Sequence, residues 1–258
     1  MIHRLIALFA VGVFALATTN LSSAQQSPDV KGKKPLRALL VTGGCCHNYT
    51  FQSAQLTNAL NKMVKVDWTV VMEGGTGTKA QIPLYDDPKW SKKFDVVIHN
   101  ECFADTTDTN YIHKITKAHH AGTPAVVIHC AMHTYRAATV DDWRELLGVT
   151  SRRHDHQSNY PVKLVEANHP ALKGMPANWV TPKDELYIIE KLWPNAKALA
   201  TSKSEKDGKD HPVIWTNQYG KARVFGTTYG HSDDTFRDEV FLNYVSRGIL
   251  WSAGRLKE

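Results

Sequence analysis

From residue 37 to residue 130 the chain alternates short apolar runs with longer amphipathic stretches. Arg37-Ala38-Leu39-Leu40-Val41-Thr42, Val66 to Met72, Phe94-Asp95-Val96-Val97-Ile98 and Ala125-Val126-Val127-Ile128 are the four runs. Runs of this length, rich in β-branched residues, predict strands buried on both faces of a parallel sheet. Between them Phe51, Ala54, Leu56, Ala59, Leu60 and Met63 recur at helical spacing from a start near Thr50. Tyr111, Ile112, Ile115 and Ala118 make a second helical stripe, closed by Gly122. Strands and helices in this order imply right-handed crossovers. Val140 to Leu147 predicts a short helix ended by Gly148.

The second half is more mixed. Tyr160 to Glu166, Glu185 to Ile189 and Val213 to Thr216 alternate apolar with polar, and Tyr219-Gly220-Lys221-Ala222 predicts a hairpin turn into Arg223 to Thr228. These read as antiparallel additions at the sheet's edge. Asp233 and Asp234 open a last helix, with Phe236, Val240, Tyr244 and the run to Leu250 on its buried face.

Composition narrows this picture. Residues 1–24 read as a secretory signal peptide: Arg4, an apolar core from Leu5 to Ala17, and Ser22-Ser23-Ala24 before the cleavage point. The core is short for a membrane span, so the cleaved chain is expected to be exported, periplasmic or extracellular, and free of the membrane. Residues 25–36 read as a flexible lead-in, and 37–254 as one domain. The formal charge of +6 is spread out, and no aromatic-laced basic stripe suggests nucleic acid. Gly75-Thr76-Gly77-Thr78-Lys79-Ala80 formally fits a dinucleotide fingerprint, but Gln81-Ile82-Pro83 breaks the helix it must open. No nucleotide cofactor is expected. Four cysteines in an exported chain allow two bridges in three pairings.

Chemistry gathers where the predicted strands end. Cys45-Cys46-His47, His99 to Cys102, His129-Cys130-Ala131-Met132-His133 and Tyr229-Gly230-His231 all fall there. The C-terminal ends of parallel strands share one edge, where open α/β sheets bind ligands. Neutral imidazoles with a carboxylate suit a divalent ion such as zinc, with His47, His129 and His231 as ligands and Glu101 as a fourth. The same groups without metal suit general acid–base catalysis. Gly43 and Gly44 turn the chain into the first helix, whose N-terminus at Asn48 would offer N–H groups to a polar ligand. Cys130 with His231-Ser232-Asp233 suggests a nucleophile and base, but Ile128 and Met132 would crowd a nucleophile elbow, and a buried structural thiol is expected instead. His119 and His120 read as solvated, and His154-Asp155-His156 as part of a basic loop.

Several segments together resemble the trehalose-utilisation, or ThuA-like, proteins. They are Leu40-Val41-Thr42-Gly43-Gly44 with His47, Val127-Ile128-His129 with His133, and Asn168-His169-Pro170-Ala171-Leu172. Asp184-Glu185-Leu186-Tyr187, Pro212-Val213-Ile214-Trp215, and Tyr219 to Val224 followed by Gly230-His231 complete the match. The resemblance implies a flavodoxin-like three-layer α/β/α sandwich of the class I glutamine amidotransferase-like superfamily, without amidotransferase chemistry. It also implies carbohydrate catabolism on 3-keto sugars or 3-keto glycosides, supplied by an upstream sugar dehydrogenase. The resemblance carries over His47, His129, His133, Glu185, Tyr187 and His231 as the pocket, with His129, His133, Glu185 and His231 expected to be catalytic and Tyr187 to bind substrate; Glu101, Gly44 and Asn48, at the strand ends, are the other expected substrate-binding residues. Glu185 or His133 is the expected base, and His129 with His231 the oxyanion or metal side. A non-catalytic carbohydrate-binding module on the same fold, or a Cys130-dependent hydrolase, are the alternatives. The Cys45-Cys46 pair and the signal depart from the pattern.

Overall fold

The computed structural model describes residues 29–257, so the expected signal peptide lies outside the described residues. Apolar runs become strands where expected: β1 (Leu36–Gly44), β2 (Val66–Met72), β3 (Val96–Cys102) and β4 (Ala125–Ile128). Helices α1 (Tyr49–Asn61), α2 (Thr109–His120) and α3 (Asp142–Leu147) follow β1, β3 and β4. The second half supplies β5 (Val149–Ser158), β6 (Lys163–Leu164), β7 (Asp184–Leu192), β8 (Lys197–Lys203), β9 (Asp210–Tyr219), β10 (Ala222–Thr227) and α4 (Glu239–Ser252).

Eight strands form one sheet in the order β2-β1-β3-β4-β10-β9-β8-β6. Its β2-β1-β3-β4-β10 half is parallel, and β9, β8 and β6 extend it antiparallel from β10. Strand alternation sends Leu40, Ile98, Val126 and Phe225 to one face, where Leu56 and Leu60 of α1 and Tyr244 and Val245 of α4 cover them. Leu39, Val41, Val97, Val127 and Val224 face the other way, against Ile112 and Ile115 of α2 and Leu146 and Leu147 of α3. The result is the flavodoxin-like three-layer α/β/α arrangement with antiparallel strands at one edge. Close approach is built in at Gly248 of α4, where a Cβ would lie 2.3 Å from the Phe225 ring.

Four details differ from the sequence reading. In α1 Gln52 and Ser53 are buried while Ala54 is exposed, because Gln52 hydrogen-bonds across to other strand ends. The last helix starts at Glu239 with Asp238 as its cap, after a separate short turn over Thr235–Arg237. The lead-in is tied down from Asp29: Asp29 pairs with Arg247 at 2.7 Å, and Val30 bridges to Leu256. Residues 149–158 form β5, which pairs with β7 in a second, two-stranded sheet.

The largest difference is His119, which is fully buried. Its Nδ1–H donates to the Thr123 carbonyl at 2.7 Å, so its Nε2 accepts from His99 Nε2 at 3.1 Å. His99 Nδ1 in turn lies 2.8 Å from Glu101 Oε1. Burial, with the His99 charge beside it, holds the His119 imidazole down to about 3. A histidine depressed in the folded state binds its proton better when unfolded, so it favours folding above pH 6.5 and opposes it as pH falls. Between pH 7.5 and pH 5 the wild type should therefore lose about 2 kcal/mol more stability than His119→Gln. Urea unfolding at the two pH values measures this, and equal losses in both proteins would refute it.

Candidate functional site

The C-terminal ends of β1, β4 and β10 bring His47, His129 and His231 together. One ring nitrogen from each lies within 4.8 Å of the others. Ring centroids are 4.8 Å apart for His47–His129, 5.0 Å for His47–His231 and 5.5 Å for His129–His231. Two turns with left-handed backbone aim two of these rings. Cys46, before His47, has φ 85°, and His129 itself has φ 47°. Such conformations cost a non-glycine residue about 1–3 kcal/mol and persist only where the surroundings enforce them. At His129 the enforcing contact is Nδ1–H donating to the Thr228 carbonyl at 2.7 Å, which turns Nε2 toward the other rings. Both nitrogens of His47 are buried without a hydrogen-bond partner.

β7 adds the carboxylate. Glu185 Oε2 lies 3.3 Å from His231 Nδ1, 3.5 Å from His154 Nδ1 and 3.7 Å from His129 Nε2. Burial pulls the Glu185 carboxyl upward, but the His231 imidazole and its neighbours outweigh that and hold it below the usual range. His231 responds in the opposite sense and is raised by Glu185. Burial lowers His47 to about 4 and His133 to about 3, and takes His129 well below its ordinary value. At neutral pH His47, His129 and His133 are therefore neutral, beside an ionised Glu185 and a His231 that Glu185 draws toward its charged form.

Tyr187 joins the cluster, with its hydroxyl 3.3 Å from His129 Nε2. His133 stacks on the Tyr187 ring at 4.1 Å, and its Nε2 faces Ser151 Oγ at 3.3 Å rather than the three imidazoles. Asn48 caps α1 at Phe51 N–H and donates to Asp233 at 3.0 Å, so both ends of its amide are engaged. Gly44 sits where a Cβ would be 2.3 Å from the Cys102 carbonyl, and its N–H is taken by Gly75. Its role here is close backbone passage. Glu101 stands apart: it is buried on His99, and among the described residues it is not part of the imidazole cluster.

Two groups that the sequence reading does not place at the site reach it from β5. His154 is paired in register with Tyr187, and Gln157 with Glu185. The Gln157 amide meets His231 Nε2 at 2.7 Å. The expectation of a basic loop for His154 is corrected by this pairing. Pairs of polar residues across a two-stranded sheet leave no apolar alternation to read.

Beneath the site Asp184 holds the His231 turn. It is fully buried and accepts from the backbone N–H of Glu185, Gly230 and His231 at 2.7–3.2 Å, and from the Thr235 hydroxyl. Burial outweighs these donors and raises its carboxyl to about 6. Asp184→Asn would turn an amide NH₂ toward N–H donors and should cost about 2–3 kcal/mol. Chemical denaturation checks this, and an unchanged midpoint would count against it.

The cysteines are paired as Cys45–Cys46 and Cys102–Cys130, and none among the described residues is free. Cys130 is thus neither a nucleophile nor a free thiol, since nucleophilic attack needs a thiolate. A groove of about 1370 Å³ lies at the opposite end of the sheet, lined by Arg37, Trp90, Lys114 and Arg255. Two of its cations are neutralised there, Arg37 by Asp95 and Lys114 by Asp86. The titratable cluster lies elsewhere.

Residues 37–252 match the family model for ThuA, trehalose utilisation. A ThuA-like protein from Parabacteroides merdae superposes with a TM-score of 0.71 at 21% identity, covering 87% of this chain and 92% of the other. One from Bacteroides uniformis gives 0.62 at 17%, covering 86% and 93%. A beta-galactosidase from Bacillus circulans gives 0.55 at 13%, covering 84% of this chain and 31% of the other. At these identities the structures are similar in fold alone. No curated protein matches the chain.

Proposed function

The chain belongs to the ThuA, trehalose utilisation, family, and from that premise we propose an exported enzyme that acts on 3-keto sugars or 3-keto glycosides. Carbohydrate utilisation is the family's province; the substrate, the reaction and the export are our reading. One observation carries it: three imidazoles and an ionised carboxylate converge at the C-terminal edge of a parallel sheet.

The donor set fits a divalent cation such as zinc. His129 has its outer nitrogen tied to a carbonyl, as metal-ligating histidines commonly do. His47 offers buried nitrogens that no protein group satisfies. A cation held by His47, His129 and His231 would supply Lewis-acid polarisation of a ketone oxygen.

The remaining steps belong to the chain's own side chains. A ketone at C3 acidifies the neighbouring C–H, and Glu185, ionised at neutral pH, takes that proton. The released electron pair moves onto the ketone oxygen as an enediolate. The Tyr187 hydroxyl, 3.3 Å from His129 Nε2, is placed to donate to that oxygen or to the sugar. Return of the proton at another carbon isomerises the sugar, and expulsion of a neighbouring glycosidic oxygen eliminates it. His133, stacked on Tyr187, fixes that ring and is a less direct base than Glu185. An upstream dehydrogenase that oxidises the C3 hydroxyl would supply the substrate.

Metal analysis of the mature protein, followed by NMR of a 3-keto glucoside with and without chelator, tests this reading. About one bound equivalent of metal and chelator-sensitive turnover are expected. Sugar binding with no product would favour the carbohydrate-binding module, and neither binding nor turnover would remove the keto-sugar reading altogether.

A further inference from the structure

All four cysteines lie together beside the imidazole cluster, and their exposure is graded. Cys46 is exposed, Cys45 half-buried, and Cys102 and Cys130 buried. Cys45 Sγ is 3.6 Å from Cys102 Sγ, close to van der Waals contact between two separate disulfides. The backbones are joined as well, with Cys45 N–H donating to the Cys102 carbonyl. Cys45, Cys102 and Cys130 pack with Tyr49, whose hydroxyl donates to the Cys45 carbonyl at 3.0 Å, in a small cluster of their own. None of these sulfurs is used in the chemistry proposed above.

We propose that Cys45–Cys46 is a thiol–disulfide exchange site for dithiol reductants, and that it passes reduction inward to Cys102–Cys130. A thiolate of the dithiol attacks the exposed Cys46 Sγ, forming a mixed disulfide and expelling Cys45 as a thiolate. The Cys45 thiolate attacks Cys102 Sγ, forming a Cys45–Cys102 bond and expelling Cys130. The dithiol's second thiol then closes on the mixed disulfide and releases Cys46. Two electrons enter, the dithiol leaves as its cyclic disulfide, and its two protons end on Cys46 and Cys130. The buried bridge is thereby exchanged without exposure to solvent.

The exchange alters the segments that carry two of the imidazoles, because His47 follows Cys46 and His129 precedes Cys130. It ties β1 directly to β3 and releases the tie between β3 and the His129 turn. The proposal stands on the sulfur geometry and is independent of any metal or sugar at the site.

Limited reduction of the full chain with dithiothreitol, acid quench, alkylation and peptide mass mapping tests it. The two-electron stage is expected to show alkylated Cys46 and Cys130 with a Cys45–Cys102 link. Alkylated Cys45 and Cys46 with Cys102–Cys130 intact, or no reduction of the folded protein, would overturn it. The variant C46S, prepared without reductant, should already contain the Cys45–Cys102 link and an alkylatable Cys130. In C45S/C46S the remaining bridge should be reduced at least 100-fold more slowly than in the wild type, and an equal rate would overturn the relay.

Discussion

Glu185→Gln is expected to slow C2 hydrogen exchange of a 3-keto glucoside by about 10²–10⁴-fold, the usual contribution of a positioned general base. The amide is nearly isosteric and can still accept from His231 at the 3.3 Å spacing. The fold and the sugar contacts should therefore persist, and the loss should fall on turnover rather than on KM. The carboxylate suits the role because His231 and the other imidazoles keep it ionised despite its partial burial. His133→Asn should cost much less, since His133 faces Ser151 and the Tyr187 ring. Following deuterium uptake at C2 by NMR separates the two. A Glu185→Gln rate within threefold of wild type would remove Glu185 as the base.

How far such a site can be read from sequence depends on which interactions build it. β1, β3 and β4 are legible because strands buried on both faces must be apolar throughout, and Leu39-Leu40-Val41 or Val126-Val127-Ile128 have no other good solution. Their polar ends follow: once the strands are parallel, His47, His129 and His231 must share an edge. β5 is different. Val149–Ser158 carries Arg152, Arg153, His154 and His156 in a two-sided polar strand, and three register irregularities break its pairing with β7. Nothing in a local pattern predicts that partnership, so His154 and Gln157 stay out of reach. Glu101 errs the other way. It sits at a strand end, but strand alternation puts it on the same side of the sheet as His99, and it pairs there. His119 is missed for a related reason, because a histidine at a helix end reads as solvated until its neighbours are known. The cysteines needed contacts between separate strand ends, which spacing alone cannot give.

Within the site, the division of labour follows from which groups are held and which are left free. Asp184, Gln52 and Thr228 hold backbone groups or a ring nitrogen in place: Asp184 accepts from the N–H groups of the Gly230–His231 turn, Gln52 donates to the carbonyls of the same turn, and the Thr228 carbonyl accepts from the His129 ring. Each of these contacts is made by a buried polar group, where an unmet hydrogen bond is costly, so the arrangement is rigid. By contrast, His47 is held by no hydrogen bond from its ring. A buried imidazole left this way loses its solvation with nothing in return, unless a ligand supplies the partner.

That imbalance makes His47→Ala the most direct test of the metal reading. In the wild type, zinc at 100-fold above its dissociation constant should stabilise the fold by about 2.7 kcal/mol, seen as a rise in melting temperature. His47→Ala should abolish that rise, and the variant should retain less than one tenth of the metal equivalent carried by the wild type. His133→Ala is the control, since His133 lies outside the three-imidazole cluster; its metal content should stay near that of the wild type. Metal analysis and calorimetry with and without zinc decide the matter. If His47→Ala keeps both the metal and the zinc-dependent shift, the three imidazoles are not a cation site, and Glu185 and Tyr187 must act on the sugar without one.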